Sequence, residues 1–222
     1  MLVNATAMLQ SAEKGHYGIG AFNTNNLEWA SSILDAGEEL QSPLIIQCTG
    51  GAAKWQTSFK VVADMVRDLV EAKSITVPVA LHLDHGSYEA ALECIAAGFT
   101  SVMYDGSHEK DFETNLAHTA EIVKLAHSKG ISVEAEVGGI GGTGIPVDQI
   151  QRAISLGVSK INVNTDLQLA FAAATRKYIE EGLDKQGKGY DPRKLLKPGR
   201  DAIKVRTAEL IKEFGSDGKG WN

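Results

Sequence analysis

Short apolar runs alternate with helical stretches along most of this chain. "YGIGAFN" (17–23) precedes the helical pattern of "NLEWASSILDAGEEL", and "PLIIQCT" (43–49) precedes "FKVVADMVRDLVEAK". "PVALHLDHG" (78–86) leads into "SYEAALECIAAG", and "SVMYDGSH" (101–108) leads into "FETNLAHTAEIVKLAHSKG". "SVEAEVG" (132–138) enters a glycine-rich stretch. After it come a helix opened by Pro146, the strand-like "KINVNTD" (160–166) and a long helix from Leu167. Gly98, Gly130 and Gly157 stand where helices should close, because glycine takes the backbone conformation that ends them at little cost. The final "DKQGKGYDPRKLLKPGRDAIKVRTAELIKEFG" predicts a loop followed by a surface helix.

Strands that read as near-continuous apolar runs are buried on both faces, as in parallel sheets, and repeated β-then-α units point to an α/β fold. Polar residues fall at the C-terminal ends of these strands: Asn23, Thr49, Asp84 with His85, Asp105, Glu136, and Asn162 with Asn164. A barrel gathers all such ends around one mouth, whereas an open sheet gathers only those near its switch point. The expectation is therefore a TIM (β/α)8 barrel, with residues 1–222 forming one domain. Six β-runs are present where eight are required. The anomaly lies at "EVGGIGGTGIPVDQI", where a strand passes through glycines straight into a helix. Strands 6 and 7 are the ones absent, a gap of on the order of 60 residues near positions 142–144. Six strands alone would leave sheet edges and apolar core surface uncovered.

Composition narrows the picture. Apolar residues make up 43% and charged residues 23%, as in ordinary globular proteins. A net charge of −6 argues against nucleic acid or an anionic membrane as the partner. No apolar run approaches the ~20 residues of a membrane span. The first residues lack the basic start and apolar core of a signal peptide. Cys48 and Cys94 sit in apolar surroundings without framework spacing, which fits a reducing compartment. The expected location is the cytoplasm.

The chemistry concentrates in "ALHLDHG" (80–86). Strand alternation puts His82, Asp84 and Gly86 on one face and Leu81, Leu83 and His85 on the other. Neutral imidazole is a common zinc ligand, and an adjacent carboxylate can move protons beside the metal. The plainer alternative is a buried histidine satisfied by backbone, with Asp84 capping the next helix. Asp105 and Glu136, at the ends of the next two strands, favour the metal reading. They could equally be a helix cap and a solvated side chain, and Glu134 shares the parity of Glu136. His82 lies deeper and suits packing or support, while His108 could join from its loop. "GGIGG" (138–142) could cradle phosphate through backbone N–H groups, as could the helix start after "NVNTD" (162–166), where the plainer alternative is Thr165 or Asp166 as a simple cap. Arg193 could reach a phosphate. No lysine ends a visible strand at the mouth, so a Schiff base has no candidate, and Lys160 would lie at the opposite end.

"GIGAFNTNN", "PLIIQ…GGAAKW", "PVALHLDHGS", "AGFTSVMYDGSH", "HSKGISVEAEVGGIGG" and "LGVSKINVNTDLQ" occur in this order. Together they closely resemble class II fructose-bisphosphate aldolases, from about Asn4 to Gly215. The resemblance implies a reversible, zinc-dependent cleavage of fructose 1,6-bisphosphate into dihydroxyacetone phosphate and glyceraldehyde 3-phosphate. It assigns Asp84 as acid/base, His85 as a zinc ligand, and Asp105 and Glu136 as carboxylates for a second or displaced metal position, divalent or monovalent. It assigns Asn23, Thr49 and the run Asn162, Val163, Asn164 and Thr165 to substrate contact. It also implies a homodimer or homotetramer. Asn164 stands where many tagatose-bisphosphate aldolases carry alanine, which favours the fructose enzyme. Two further zinc histidines and a proton-abstracting base of the family have no counterpart here, because their region is the one missing. A chain truly without that region should neither fold stably nor bind catalytic zinc, and a non-catalytic sugar-phosphate or metal-binding barrel is the rival reading.

Overall fold

The computed structural model describes residues 2–136 and 146–221. Six strands appear where six β-runs are expected: β1 (Ile19–Asn23), β2 (Leu44–Thr49), β3 (Val79–Gly86), β4 (Ser101–Asp105), β5 (Ser132–Glu136) and β6 (Lys160–Val163). All neighbouring strands pair in parallel, in the order β5-β4-β3-β2-β1-β6. The last strand in the chain thus lies beside the first, with Ile19 opposite Lys160 and Phe22 opposite Val163. That is the seam of a closed (β/α)8 barrel. At the other side β5 and β6 form the two ends of the sheet. Among the described residues, the fold is a TIM-type barrel from which two strands are missing. "GGIGG" (138–142), Thr143 and the join near 142–144 lie outside the described residues.

The helices are α1 (Thr6–Gly15), α2 (Leu27–Glu39), α3 (Gly50–Trp55), α4 (Phe59–Ala72), α5 (Tyr88–Ala97), α6 (Phe112–His127), α7 (Val147–Ser155), α8 (Thr165–Glu180), α9 (Pro192–Leu195) and α10 (Lys197–Glu213). Asn26, Ser58, Ser87 and Asp111 cap α2, α4, α5 and α6, each accepting the backbone N–H three residues on. Such caps satisfy donors that a helix start leaves unpaired. Gly98 closes α5 at φ 92°, as expected. Helices α1 and α3 were not legible in the pattern, and α8 begins at Thr165 rather than Leu167. The C-terminal stretch departs from the expected surface helix as well. Ile203, Thr207, Leu210 and Ile211 of α10 are buried, and Ser32 Oγ on α2 donates to the carbonyl of Arg200 at 3.0 Å.

Alternation divides the strands into two layers. Phe22, Leu44, Ile46, Cys48, Leu81, Leu83, Val102 and Tyr104 face the helices and form the larger core. Ile19, Ala21, Ile45 and Ala80 face inward and pack with Ala5, Met8 and Ala12 of the α1 segment, which fills the N-terminal end of the arc. The apolar inner layer lies at the start of the strands, and the polar residues follow toward their C-terminal ends. Among the described residues, no helix is long and apolar enough to cross a membrane.

Candidate active site

The end of β3 is irregular, and the irregularity builds the site. The β3–β4 register shifts between Leu83 and Gly86, and His85 takes φ 48°. Simple alternation sends His85 to the face opposite Asp84. The bulge corrects that expectation, because an extra residue re-aims the side chains beyond it. Gly86 permits the shift: a Cβ there would lie 2.2 Å from Leu83 Cδ2 and 3.0 Å from the Met103 carbonyl oxygen. His85 Nδ1 thereby reaches Asp105 Oδ2 at 2.9 Å and Glu136 Oε2 at 3.3 Å.

Among the described residues, His85, Asp105 and Glu136 offer three ligand atoms that all lie within 4.8 Å of one another. The donor chemistry, one imidazole and two carboxylates, fits a divalent cation. Glu136 Oε2 is buried and makes no hydrogen bond, a state that a cation would relieve. The hydrogen bond to Asp105 holds the His85 imidazolium above its ordinary range, against burial and with help from the charges of Asp84, Asp105 and Glu136. Burial pushes Asp105 up, but the bonds from Ser107 and His85 outweigh it and leave the carboxyl below its usual value. A proton and a metal would therefore compete for His85.

Asp84 is buried, at 6% exposure, and its Oδ2 accepts Asn23 Nδ2 at 2.8 Å. Asn23 Oδ1 in turn accepts Gln47 Nε2 at 2.8 Å. Asp84 Oδ1 makes no hydrogen bond. Asp84 does not cap the following helix, since Ser87 performs that task. Gln47 escaped the sequence reading although it has the right parity and pairs in register with Asn23.

The other expected residues divide. Thr49 sits at the mouth end of β2, and its hydroxyl caps α3 by accepting Ala52 N at 3.2 Å. Asp105 Oδ1 caps a short 3-10 turn through Ser107 N (3.0 Å) and Ser107 Oγ (2.5 Å), while Oδ2 faces His85. Asn162 pairs with Ala21 on β1 and is exposed, and Val163 is buried toward the helices. Asn164 occupies the cap position of α8 without a side-chain bond, and Thr165 opens that helix, exposed. Asp166 pairs with Arg206 at 3.1 Å. Arg193 is held by Asp191 through bonds of 3.0 and 2.6 Å. His108 is exposed and outside the three-ligand group.

The choice between Glu134 and Glu136 is made by depth. Glu134 lies one layer below, 2.9 Å from Lys160 Nζ and 3.5 Å from His82 Nε2. His82 Nδ1 bonds Ser101 Oγ at 2.8 Å, and burial, with the charges of Lys160 and His85, drives its pKa well down, so it is a neutral imidazole. Burial and the charge of Asp84 push the Cys48 thiol up to about 12, which leaves it inert.

The chain matches the family described as fructose-bisphosphate aldolase class-II over residues 3–143 and again over 140–219. It is 41% identical over 291 aligned positions to the fructose-bisphosphate aldolase of Streptococcus pyogenes serotype M1, covering 98% of this chain and 99% of the relative. To that of Geobacillus stearothermophilus it is 42% identical over 287 positions, covering 98% of each. The crystal structure of the YdjI aldolase from Escherichia coli K12 superposes with a TM-score of 0.85 at 30% identity, over 100% of both chains. That of the Campylobacter jejuni fructose-bisphosphate aldolase, at 20% identity and TM-score 0.85 over 99% of this chain and 97% of the other, shares the fold. The alignment of 291 positions against 222 residues leaves roughly 70 positions of the streptococcal relative without a partner here. The two matched pieces meet at 140–143.

Proposed function

This chain belongs to the class-II fructose-bisphosphate aldolase family, and on that premise we propose that it cleaves fructose 1,6-bisphosphate reversibly into dihydroxyacetone phosphate and glyceraldehyde 3-phosphate. The observation that carries the reading is the convergence of His85, Asp105 and Glu136 beside a buried carboxylate, Asp84, with one oxygen free of hydrogen bonds. The cation of this reading is zinc, which His85 would ligate, with Asp105 and Glu136 as the carboxylates for a second or displaced metal position. When bound, such an ion supplies Lewis acidity that draws electron density from the ketone oxygen as C3–C4 breaks.

Asp84 removes the proton of the C4 hydroxyl in cleavage and returns it to the aldehyde oxygen in condensation. Its geometry suits the task, since Asn23 immobilises Oδ2 and leaves Oδ1 to the substrate. The phosphate of the dihydroxyacetone phosphate half lies over Asn162, Asn164 and Thr165, where the start of α8 favours an anion. Asn23 acts here through Asp84, and Thr49 lines the mouth. Asn164 favours the fructose over the tagatose substrate, which competition kinetics would separate. A homodimer or homotetramer in the cytoplasm belongs to the same reading.

The reading also treats residues 1–222 as one barrel domain interrupted near 142–144. The sheet order and the two-piece family match support it. The two missing histidine ligands and the base for the C3 proton fall in that interval. This favours a second reading, a non-catalytic sugar-phosphate or metal-binding barrel. Cleavage of fructose 1,6-bisphosphate, assayed before and after chelation and zinc readdition, tests the first; activity indifferent to both treatments would overturn its metal chemistry. An intact mass of 23.7 kDa with no turnover selects the second reading, and a mass greater by two βα units with zinc-dependent turnover selects the first.

A further inference from the structure

Asn115, in the first turn of α6, is buried at 7% exposure between two stretches of backbone that lead to the candidate site. Its Nδ2 donates to the carbonyl of Gly106 at 3.1 Å and to the carbonyl of Glu136 at 3.1 Å. A primary amide carries two N–H donors, and both are used. Its Oδ1 accepts Thr119 Oγ1 at 3.2 Å, one helical turn further on, which determines the way the amide faces. Gly106 is the residue that allows this approach, because a Cβ there would lie 2.2 Å from Asn115 Oδ1.

The location gives these contacts their meaning. The last β4–β5 pair among the described residues is Asp105 and Glu136, whose carboxylates face His85. Asn115 binds the carbonyl of Gly106, the residue that follows Asp105, and the carbonyl of Glu136 itself, so one amide links the ends of both strands. A displacement of either backbone by about 1 Å is enough to spoil a coordination geometry. We propose that Asn115 is a positioning residue for the divalent cation: it holds the backbones of Asp105 and Glu136 at the separation their carboxylates need, and Thr119 holds Asn115. This rests on the metal reading above.

The test titrates Zn2+ into the full chain against a chromophoric chelator, with a His85→Ala variant as the site reference. Asn115→Leu keeps nearly the side chain's shape without its donors, Asn115→Ala removes it, and Thr119→Val releases the amide to rotate. Groups that orient metal ligands typically account for 10- to 100-fold in affinity. Acting through backbone, Asn115→Leu and Asn115→Ala should weaken Zn2+ binding by about tenfold, and Thr119→Val by about threefold. Glu38→Gln, which loosens a distant turn, should leave the affinity unchanged. Far-UV circular dichroism establishes which variants fold. Folded Asn115 variants that bind Zn2+ as tightly as the unsubstituted chain overturn the positioning role and leave the metal reading standing. If both Asn115 variants fail to fold, Thr119→Val decides by the same measurement, weakened binding supporting the role and unchanged binding overturning it. If the unsubstituted chain binds no Zn2+ that His85→Ala abolishes, the metal reading fails and takes this role with it.

Discussion

Asn23 donates to Asp84 Oδ2 at 2.8 Å, across two strands that are not neighbours, and leaves Asp84 Oδ1 without a hydrogen bond. The intervening strand β2 supplies the reason. Gln47 Nε2 occupies the Asn23 carbonyl oxygen, so the amide must present its nitrogen to Asp84. Two inward side chains, on β1 and β2, thus orient one carboxylate on β3. Asp84→Ala should keep His85, Asp105 and Glu136 in place, retain Zn2+ binding and lower turnover by about 10²–10⁴-fold, the usual contribution of a positioned acid/base. Parallel zinc titration and steady-state kinetics check both halves. Loss of zinc together with turnover would make Asp84 a ligand instead.

Gln47→Leu removes the orienting donor and leaves Asn23 Oδ1 buried without a partner. An unsatisfied buried acceptor costs about 1–3 kcal/mol. The denaturant midpoint should fall accordingly, and turnover should fall with zinc affinity unchanged, since none of the three candidate ligands touches Gln47.

The bulge at the end of β3 makes a separate prediction. Gly86→Ala places a methyl group against Leu83 Cδ2 and the Met103 carbonyl, and the backbone oxygen cannot yield as a side chain can. Overpacking of this kind costs about 1–3 kcal/mol. Because His85 owes its direction to the same bulge, Zn2+ affinity should drop along with the melting temperature. A fall in stability alone would separate the bulge from the site.

Glu38 provides a pH dependence. Its carboxylate accepts Thr76 N at 2.7 Å, Thr76 Oγ1 at 2.7 Å and Val77 N at 3.3 Å. Burial raises its pKa, and these bonds together with one from Gln41 outweigh burial and lower it from the ordinary 4.5. The folded state therefore binds this proton less readily than the unfolded chain, so the contribution is complete above the unfolded value and is lost as pH falls through the folded one. Denaturant melts between pH 6 and pH 3, roughly spanning those values, should show a shallower acid decline for Glu38→Gln, with a loss of about 1 kcal/mol at the upper end.

Much of this architecture follows from local pattern. Strands β1 to β4 lie inside apolar runs because a strand buried on both faces can carry little else. Strands β5 and β6, at the ends of the sheet, are only part-buried and carry charged residues as well. The caps at Asn26, Ser58, Ser87 and Asp111 are visible as residue types. Helix α1 escaped because its apolar positions, Met8 and Ala12 among them, face the barrel interior rather than a helix layer, and its N-cap residue, Ala5, has no capping side chain. The burial of α10 was equally illegible, since its partners on α2 and α8 are remote in sequence. Among the site residues, Gln47 ends the run "PLIIQ" and Asn115 lies in α6, and neither shows its part by residue type alone. Their roles consist entirely of contacts, to Asn23 on one side and to Gly106 and Glu136 on the other.

The sequence by itself determined the parallel α/β plan, the absence of two βα units and the strand ends where chemistry gathers, because periodicity and residue type are local properties. Tertiary structure decided what periodicity could not. Alternation assigns His85 to the face away from Asp84, and the β3 bulge returns it to the mouth. Parity leaves Glu134 and Glu136 equivalent, and depth separates them: Lys160 on β6 takes Glu134 in the lower layer, while Glu136 meets His85 above. A strand records which face a side chain takes, but its height in the barrel and the partner waiting there depend on how neighbouring strands are staggered, and that is set only when the sheet assembles.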